Sequence, residues 1–283
     1  MMKVICEHDM INVKKKMTEI RRNRNGRVIR QNYYGNCDQN DETFVVYGKD
    51  TVVLWENDHD VIRGYFYSSD VGELAKLLQC LPKGCIVDYL TRMKGEMQEY
   101  LESHGFCLLH EMHRMSNSVL SEIEKEKLKE NYSLMMQTLY RPANVSCANE
   151  NDLEEIYCKL YMVFDKNESH LPSKEELLDF IKKGWVIMYK ESQEIKGIEI
   201  FKIEKDQLYG YQLWNGTGPE GYFSITQKVN EKYYEYLTKH NLTMEKAKPA
   251  YYWINSKNKK MIRLSNFWGY KFDGLYDFVY EKI

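Results

Sequence analysis

The chain has 283 residues, 43% hydrophobic and 13% aromatic, enough apolar surface to exclude wholesale disorder and to fill one large core or two of about 140 residues each. Forty basic against 42 acidic side chains give a formal charge of -2, so no global field recruits nucleic acid or an anionic membrane. The seven cysteines include no C-x-x-C pair, which argues against a disulfide framework and a structural zinc site and points to reduced thiols without a metal.

At the N-terminus Glu7, His8 and Asp9 interrupt any apolar run, and no later segment approaches ~20 apolar residues, so a cytoplasmic protein is expected. Between Val13 and Arg30 eight Lys or Arg face one Glu. The run reads as a solvated helix packing Ile11, Met17 and Ile20, or as an arm touching tRNA; the lack of an interleaved aromatic from Lys14 to Arg30 favours the helix. Three strands follow, "TFVVYGKD", "TVVLWEND" and "VIRGYFYS", then a helix "DVGELAKLLQCL" with an Asp70/Glu73 capping box. "CIVDYL" is a strand, "GEMQEYLESHG" a helix and "FCLLHEMHRM" a strand.

Residues 116 to 141, rich in Glu and Lys and then apolar, read as a solvated helix or tether. Beyond it Pro142 to Ala148 forms a strand, and Leu153, Ile156, Leu160 and Val163 mark a helix capped by Asn151 or Asp152. A second helix has a Ser173/Glu176 capping box and a Gly184 stop. Three strands then span Trp185 to Trp214, with turns at Glu191 to Glu194 and Glu204 to Gln207. Ile225, Val229, Tyr233, Tyr236 and Leu237 give a helix, "AYYWI" a strand, and the segment from Asn258 a helix and a last strand. The order is β-α-α-β-β-β-α-β-α-β.

The first part repeats the end of that order. Met97, Tyr100, Leu101 and His104 stand at the same helical spacing as Met261, Leu264, Ser265 and Trp268, and the two helices stop at Gly105-Phe106 and Gly269-Tyr270. An internal duplication explains this economically. The division predicted is 1–118, a linker 119–141, and 142–283.

That element order, the "EIKGIEIF" strand with Gly197, and Asn258, Leu264, Gly269 and Tyr270 in "NKKMIRLSNFWGY" resemble the GNAT superfamily of acyl-CoA-dependent N-acyltransferases. The resemblance covers 142–283 well and 43–118 as a partial second copy, as in tandem GNAT proteins whose first half is degenerate. It implies an α+β (α/β three-layer) fold of two GNAT-like mixed-sheet domains. It also implies an acetyltransferase that uses acetyl-CoA, or another acyl-coenzyme A, as co-substrate and acts on a small primary amine. In that family a glycine turn before the central helix meets the diphosphate. Here the turn offers Gly216, Gly218 and Gly221, with Phe223 where a small residue is usual, Glu220 adding negative charge, and the family's basic residue missing. Tight strand-to-helix turning alone also accounts for three glycines. In the first half the Asp70 and Glu73 carboxylates would repel a diphosphate, so no nucleotide is expected there.

The resemblance further places the pantetheine on the backbone of Leu213 and Trp214 and a cofactor contact near Asn258, whose ordinary role is an N-cap. The family's general-acid tyrosine falls on Ser265, a poorer proton donor; the alternative is a hydroxyl bonded to the carbonyl four residues back. Tyr211, Glu199 and His170 are the candidate bases, none marked out by spacing, and a strand Glu such as Glu199 is more often a solvent-facing residue and His170 more often a surface loop residue. Two other readings stand beside the enzyme: a GNAT-fold partner protein without turnover, and a Fem-like aminoacyl-tRNA-dependent transferase, which depends on the basic run.

Overall fold

Strand and helix periods along the chain translate into the elements of the computed structural model, which describes residues 4–7, 10–33, 43–119, 121–204, 206–242 and 250–283. The first stretch carries β1 (Val4–Glu7), α1 (Ile11–Asn23), β2 (Arg30–Gln31), β3 (Thr43–Tyr47), β4 (Thr51–Asp58), β5 (Val61–Ser68), α2 (Val71–Leu78), β6 (Ile86–Thr91), α3 (Glu96–Ser103) and β7 (Phe106–Ser116). The second carries α4 (Glu122–Leu139), β8 (Val145–Cys147), α5 (Leu153–Val163), α6 (Lys174–Lys182), β9 (Val186–Glu191), β10 (Glu194–Glu204), β11 (Gln207–Asn215), α7 (Pro219–Lys239), β12 (Tyr251–Asn255), α8 (Lys259–Phe267) and β13 (Lys271–Lys282). His8, Asp9 and Cys37 lie outside the described residues.

Two compact units result. The first is Met1–Met112 with Lys166–His170 and Leu275–Ile283, and the second is His113–Asp165 with Leu171–Gly274. A linear division at 118 and 142 keeps the last strand with the second half. In the fold, Tyr276 to Glu281 pair antiparallel with Thr91 to Ile86, so this strand completes the first unit's sheet. The edge of β6 needs hydrogen-bond partners, and alternation along β13 shows a strand without saying which edge it joins.

In the first unit the strand order is β1-β3-β4-β5-β6-β13-β7. Period-two alternation sends Val46, Val53 and Phe66 to one face, under Leu74, Leu77 and Leu78 of α2 and Leu101 of α3. Val45, Val52, Leu54 and Tyr67 go to the other, under α1. Helix α1 buries Val13, Met17 and Ile20. Ile11, expected in that stripe, is 67% exposed, because spacing of i, i+4, i+7 keeps to one face and Ile11 falls off it. The Asp70/Glu73 box is one-sided. Asp70 Oδ1 accepts from the Glu73 N–H at 2.8 Å, but the Glu73 carboxylate turns to the β3–β4 turn and accepts from the Lys49 and Asp50 N–H groups, each at 2.7 Å.

In the second unit the order is β12-β11-β10-β9-β8. Ile156 and Leu160 of α5 and Leu177, Phe180 and Ile181 of α6 cover one face of the sheet. Ile225, Val229, Tyr233 and Leu237 of α7 cover the other. Both Ser173 and Glu176 bonds of the predicted capping box form. Helix α7 starts at Pro219, six residues before the apolar stripe predicts, since proline at the first helical position needs no N–H partner. Gly105 at φ +85° and Gly269 at φ +81° take the left-handed conformation that ends α3 and α8. Asn149, rather than Asn151 or Asp152, caps the turn entering α5. Among the described residues, Cys6, Cys80, Cys85, Cys107, Cys147 and Cys158 form no disulfide. Among the described residues no helix is long and apolar enough to cross a membrane.

Candidate active site

The second unit's sheet opens at one place. Along β10 and β11 Ile200 pairs with Gln212 and Phe201 with Gly210, so Tyr211 is one residue extra and β11 carries a bulge there. A bulge bends its strand and sharpens the local twist. The parallel neighbour β12 accordingly meets β11 in register at a single pair, Tyr209 with Tyr251. Past that point β11 keeps β10 on one side, Leu213 opposite Glu199 and Trp214 opposite Ile198, while its other edge has no β12 residue in register. Main-chain N–H and C=O groups on such an edge suit an extended, amide-bearing ligand. Tyr252 leans across Gly210, where an added Cβ would stand 3.2 Å from the Tyr252 Cβ.

Beside this opening lies a polar cluster on the α7 side of the sheet. Glu199 Oε2 is buried without a hydrogen bond, and burial pushes the carboxyl up to about 8. Tyr222 of α7, Tyr252 of β12 and Tyr270 after α8 surround it. Burial raises all three phenols, and the charge of Glu199 adds to each shift. The Tyr252 and Tyr270 rings are 4.8 Å apart. Ser265 is fully buried, and its Oγ donates to the Met261 carbonyl at 2.6 Å, so its proton is used inside the helix. The tyrosines come from three separate elements, and no sequence spacing links them; the one local sign was the aromatic density of "AYYWI" and "GYF".

The turn from β11 to α7 uses its glycines for close packing. A Cβ on Gly216 would stand 2.8 Å from the Trp214 ring and 3.2 Å from the Lys196 carbonyl, and one on Gly221 would stand 1.9 Å from Thr217 Oγ1. Asn215 Oδ1 accepts from the Thr217 N–H at 3.1 Å and from its hydroxyl at 2.8 Å, tying the turn to itself. A Cβ on Gly218, the N-cap of α7, would meet only the Glu220 carboxylate, at 2.9 Å, and no side chain caps the helix. Helix N–H groups there favour an anion, and Glu220 opposes one. Phe223 stands clear of the turn: it is 1% exposed and stacks on Trp268 at 5.1 Å. The open β11 edge and the uncapped helix start fit a pantetheine and its diphosphate, with the Glu220 charge the one misfit.

Three candidates fall elsewhere. Tyr211 turns to the α6 side, with Phe180 5.8 Å from its ring and Lys202 Nζ 3.9 Å above it, because the bulge breaks alternation with Leu213. Asn258 Oδ1 accepts from the Met261 N–H at 3.1 Å as the α8 cap. His170 belongs to the first unit, where its Nδ1 lies 2.9 Å from Asp58 Oδ2.

The first unit repeats the geometry and fills it. Strand β5 meets the parallel β6 only at Arg63 and Ile86, yet the edge beyond is taken by the chain itself: β2 pairs Arg30 with Ser68 and Gln31 with Tyr67. Asn32 extends this, donating to the Gly64 carbonyl at 2.9 Å and accepting from the Phe66 N–H at 2.6 Å. Of the basic run, Arg21 donates to the Tyr67 hydroxyl, Arg27 pairs with Asp50, and Arg30 pairs with Glu96.

No protein-family model matches the sequence, and no curated protein matches it. Solved structures do resemble the fold. A GCN5-related N-acetyltransferase from Sphaerobacter thermophilus superposes with TM-score 0.56 at 12% identity, covering 88% of this chain and 82% of that one. A tandem GNAT protein from the clavulanic acid biosynthesis pathway gives 0.55 at 6% identity over 99% and 98% of the two chains. A GNAT-family acetyltransferase from Colwellia psychrerythraea gives 0.51 at 11% identity over 99% of both. The chain has the GNAT fold, as two GNAT-like mixed-sheet units in tandem.

Proposed function

We propose that the second unit is an acyl-CoA-dependent N-acyltransferase that takes acetyl-CoA as donor and a small primary amine as acceptor. The observation that carries this is the β11 edge opened by the Tyr211 bulge next to the half-buried Glu199, whose Oε2 is buried without a hydrogen bond. The acetyltransferases that share the fold support the reaction class. The backbone of Leu213 and Trp214 would hold the pantetheine, and the helix start at Gly218 the diphosphate. Bound there, an acyl-CoA supplies an activated acyl carbon and a sulfur leaving group. Glu199, ionised above about pH 8, is the base that removes the amine proton. Its loss of charge below that pH predicts activity rising with pH through about 8. Ser265 gives its proton to the Met261 carbonyl within α8 and is not itself the proton source. The first unit takes no acyl-CoA, since β2 lies on the equivalent edge, so one ligand binds per chain.

A thermal shift with acetyl-CoA tests the reading: at millimolar ligand Tm is expected to rise by several degrees through binding linkage. Gly218→Asp is expected to raise Tm slightly without ligand, because Asp is a good N-cap on an exposed helix start, and to abolish the acetyl-CoA shift by repelling the diphosphate. An undiminished shift in this variant puts the diphosphate elsewhere, and no shift in the wild type removes the proposal. Glu220→Gln has the opposite sign. With the carboxylate gone from beside Gly218, calorimetric affinity for acetyl-CoA is expected to rise about 3-fold to 10-fold, more at low salt. Unchanged affinity would mean that the anion sits away from this turn.

A further inference from the structure

The basic run of the sequence divides in the fold. Its second part is spent on the first unit itself, where Arg27 pairs with Asp50 and Asp70, and Arg30 with Glu96. Its first part lies on α1, whose apolar stripe of Val13, Met17 and Ile20 is buried, while Lys14, Lys15, Arg21, Arg22 and Arg24 are exposed. Among the described residues Lys14, Lys15, Arg22 and Arg24 make no ion pair, and Glu19, the one acid of the helix, bonds none of them. The charge does not serve the helix either. No side chain caps α1, its first turn holds no acid, and Lys14 and Lys15 follow close on a helix start, where the positive end of the dipole opposes cations. Lys14 and Lys15 stand seven residues before Arg21 and Arg22, so the four form one stripe, the two pairs about 10.5 Å apart along the axis. Arg21 Nε donates to the Tyr67 hydroxyl at 3.0 Å, which holds the guanidinium in place and leaves its terminal nitrogens for another acceptor.

We propose that this face of α1 binds the sugar–phosphate backbone of a double-stranded nucleic acid. Closely spaced phosphates are the polyanion that four aligned cations neutralise together, with release of the condensed counterions. The whole chain carries a formal charge of -2, so the attraction is local to α1. The duplex follows from what the face lacks. Unpaired strands are held by aromatic rings on which bases stack, whereas the exposed face of α1 offers Ile11, Lys14, Lys15, Thr18 and Arg22, and Tyr67 beside Arg21 is buried. A lipid surface fits worse, because an interfacial helix lays its apolar face among the acyl chains and that of α1 is packed on Val45, Val52 and Leu54. Contacts to phosphate carry no base sequence, so binding is independent of it.

Fluorescence anisotropy of the full chain with a labelled RNA duplex of about 20 base pairs, and with a DNA duplex of the same sequence, tests this. The slope of log affinity against log salt is expected to be about -3.5, from about 0.9 per phosphate for four contacts, so raising salt about fourfold weakens binding about 100-fold. With Lys14→Gln, Lys15→Gln and Arg22→Gln together, the slope is expected to fall to about -1 and affinity at low salt by about 100-fold or more. These side chains are exposed and without ion pairs, so the Tm of that variant is expected to match the wild type's. Lys127→Gln, Lys182→Gln and Lys239→Gln, at three exposed lysines elsewhere, change the net charge equally and are expected to alter affinity less than about 3-fold. Binding of either duplex, with the loss confined to the α1 variant, establishes the surface, and the tighter of the two duplexes identifies its source. Equal losses in the two triple variants, no binding of either duplex at about 50 mM salt, or tighter binding of the unpaired strand overturns the inference. So does capture by anionic phosphatidylserine vesicles without binding of a duplex.

Discussion

Arg63→Met is expected to destabilise the first unit by about 3–5 kcal/mol, the cost of removing one partner from a buried ion cluster. The Arg63 side chain is 1% exposed. Its Nε donates to Asp58 Oδ2 at 2.6 Å, one terminal nitrogen to Asp88 Oδ2 at 3.2 Å, and the other to the Lys166 carbonyl at 3.3 Å. Burial works to raise the Asp58 carboxyl, but His170 and then Arg63 outweigh it and hold the group well below the usual carboxylate range. Asp277 is pushed the other way, upward, by burial and by the Asp88 charge. Without the guanidinium, Asp58 and Asp88 are left facing each other beside His170 and His59. The sign of the pH dependence follows from linkage. A carboxyl lowered in the fold contributes stability above its unfolded value, near 4, and that contribution is lost as pH falls through the folded value. In Arg63→Met the contribution is missing already at pH 7, so the gap to the wild type is expected to narrow toward pH 4. Urea unfolding at the two pH values measures it. A loss under about 1 kcal/mol at pH 7 would show that the cluster is solvated and the guanidinium dispensable.

Glu199→Gln is expected to change activity and stability in opposite directions. As the proposed base, Glu199 is expected to account for about 10²–10⁴ in kcat/KM above pH 8, which the amide cannot supply. The carboxyl is raised in the fold to about 8 from an ordinary 4.5, by burial. Below 4.5 it is neutral in both states. Between 4.5 and 8 the unfolded chain releases the proton while the folded one keeps it, so stability falls as pH rises, by up to about 5 kcal/mol in all. Above 8 the loss levels off. Glutamine abolishes this slope, so the variant is expected to melt above the wild type at pH 8 and to differ little at pH 5. Thermal melts across pH 5 to 9 with turnover at pH 9 check both halves. A variant that melts lower at pH 8 would show that Glu199 makes stabilising bonds as an anion, and an active variant would remove it from the chemistry.

What the sequence determined by itself was local. Alternation located β4 to β7 and β9 to β12 within a residue or two and β3 within three, the Ser173/Glu176 pair marked the start of α6, and Gly105 and Gly269 marked the ends of α3 and α8, because each of these depends on neighbours a few residues away. It also placed Glu199 and Ser265 among the candidates and left their surroundings open. The strands β1 and β2 escaped, since four and two residues carry no period to read.

Only the tertiary structure decided the pairing. That β13 joins β6, that β2 lies on β5, and that β11 holds an extra residue at Tyr211 are choices of register and partner between segments far apart in the chain. Periodicity says which residues share a face and is silent on which edge they meet. For the same reason the phenols of Tyr222, Tyr252 and Tyr270 met Glu199 only once a helix, a strand and a helix end had been packed together. A buried carboxyl is raised by the water its neighbours exclude, and those neighbours are set by packing across the whole unit.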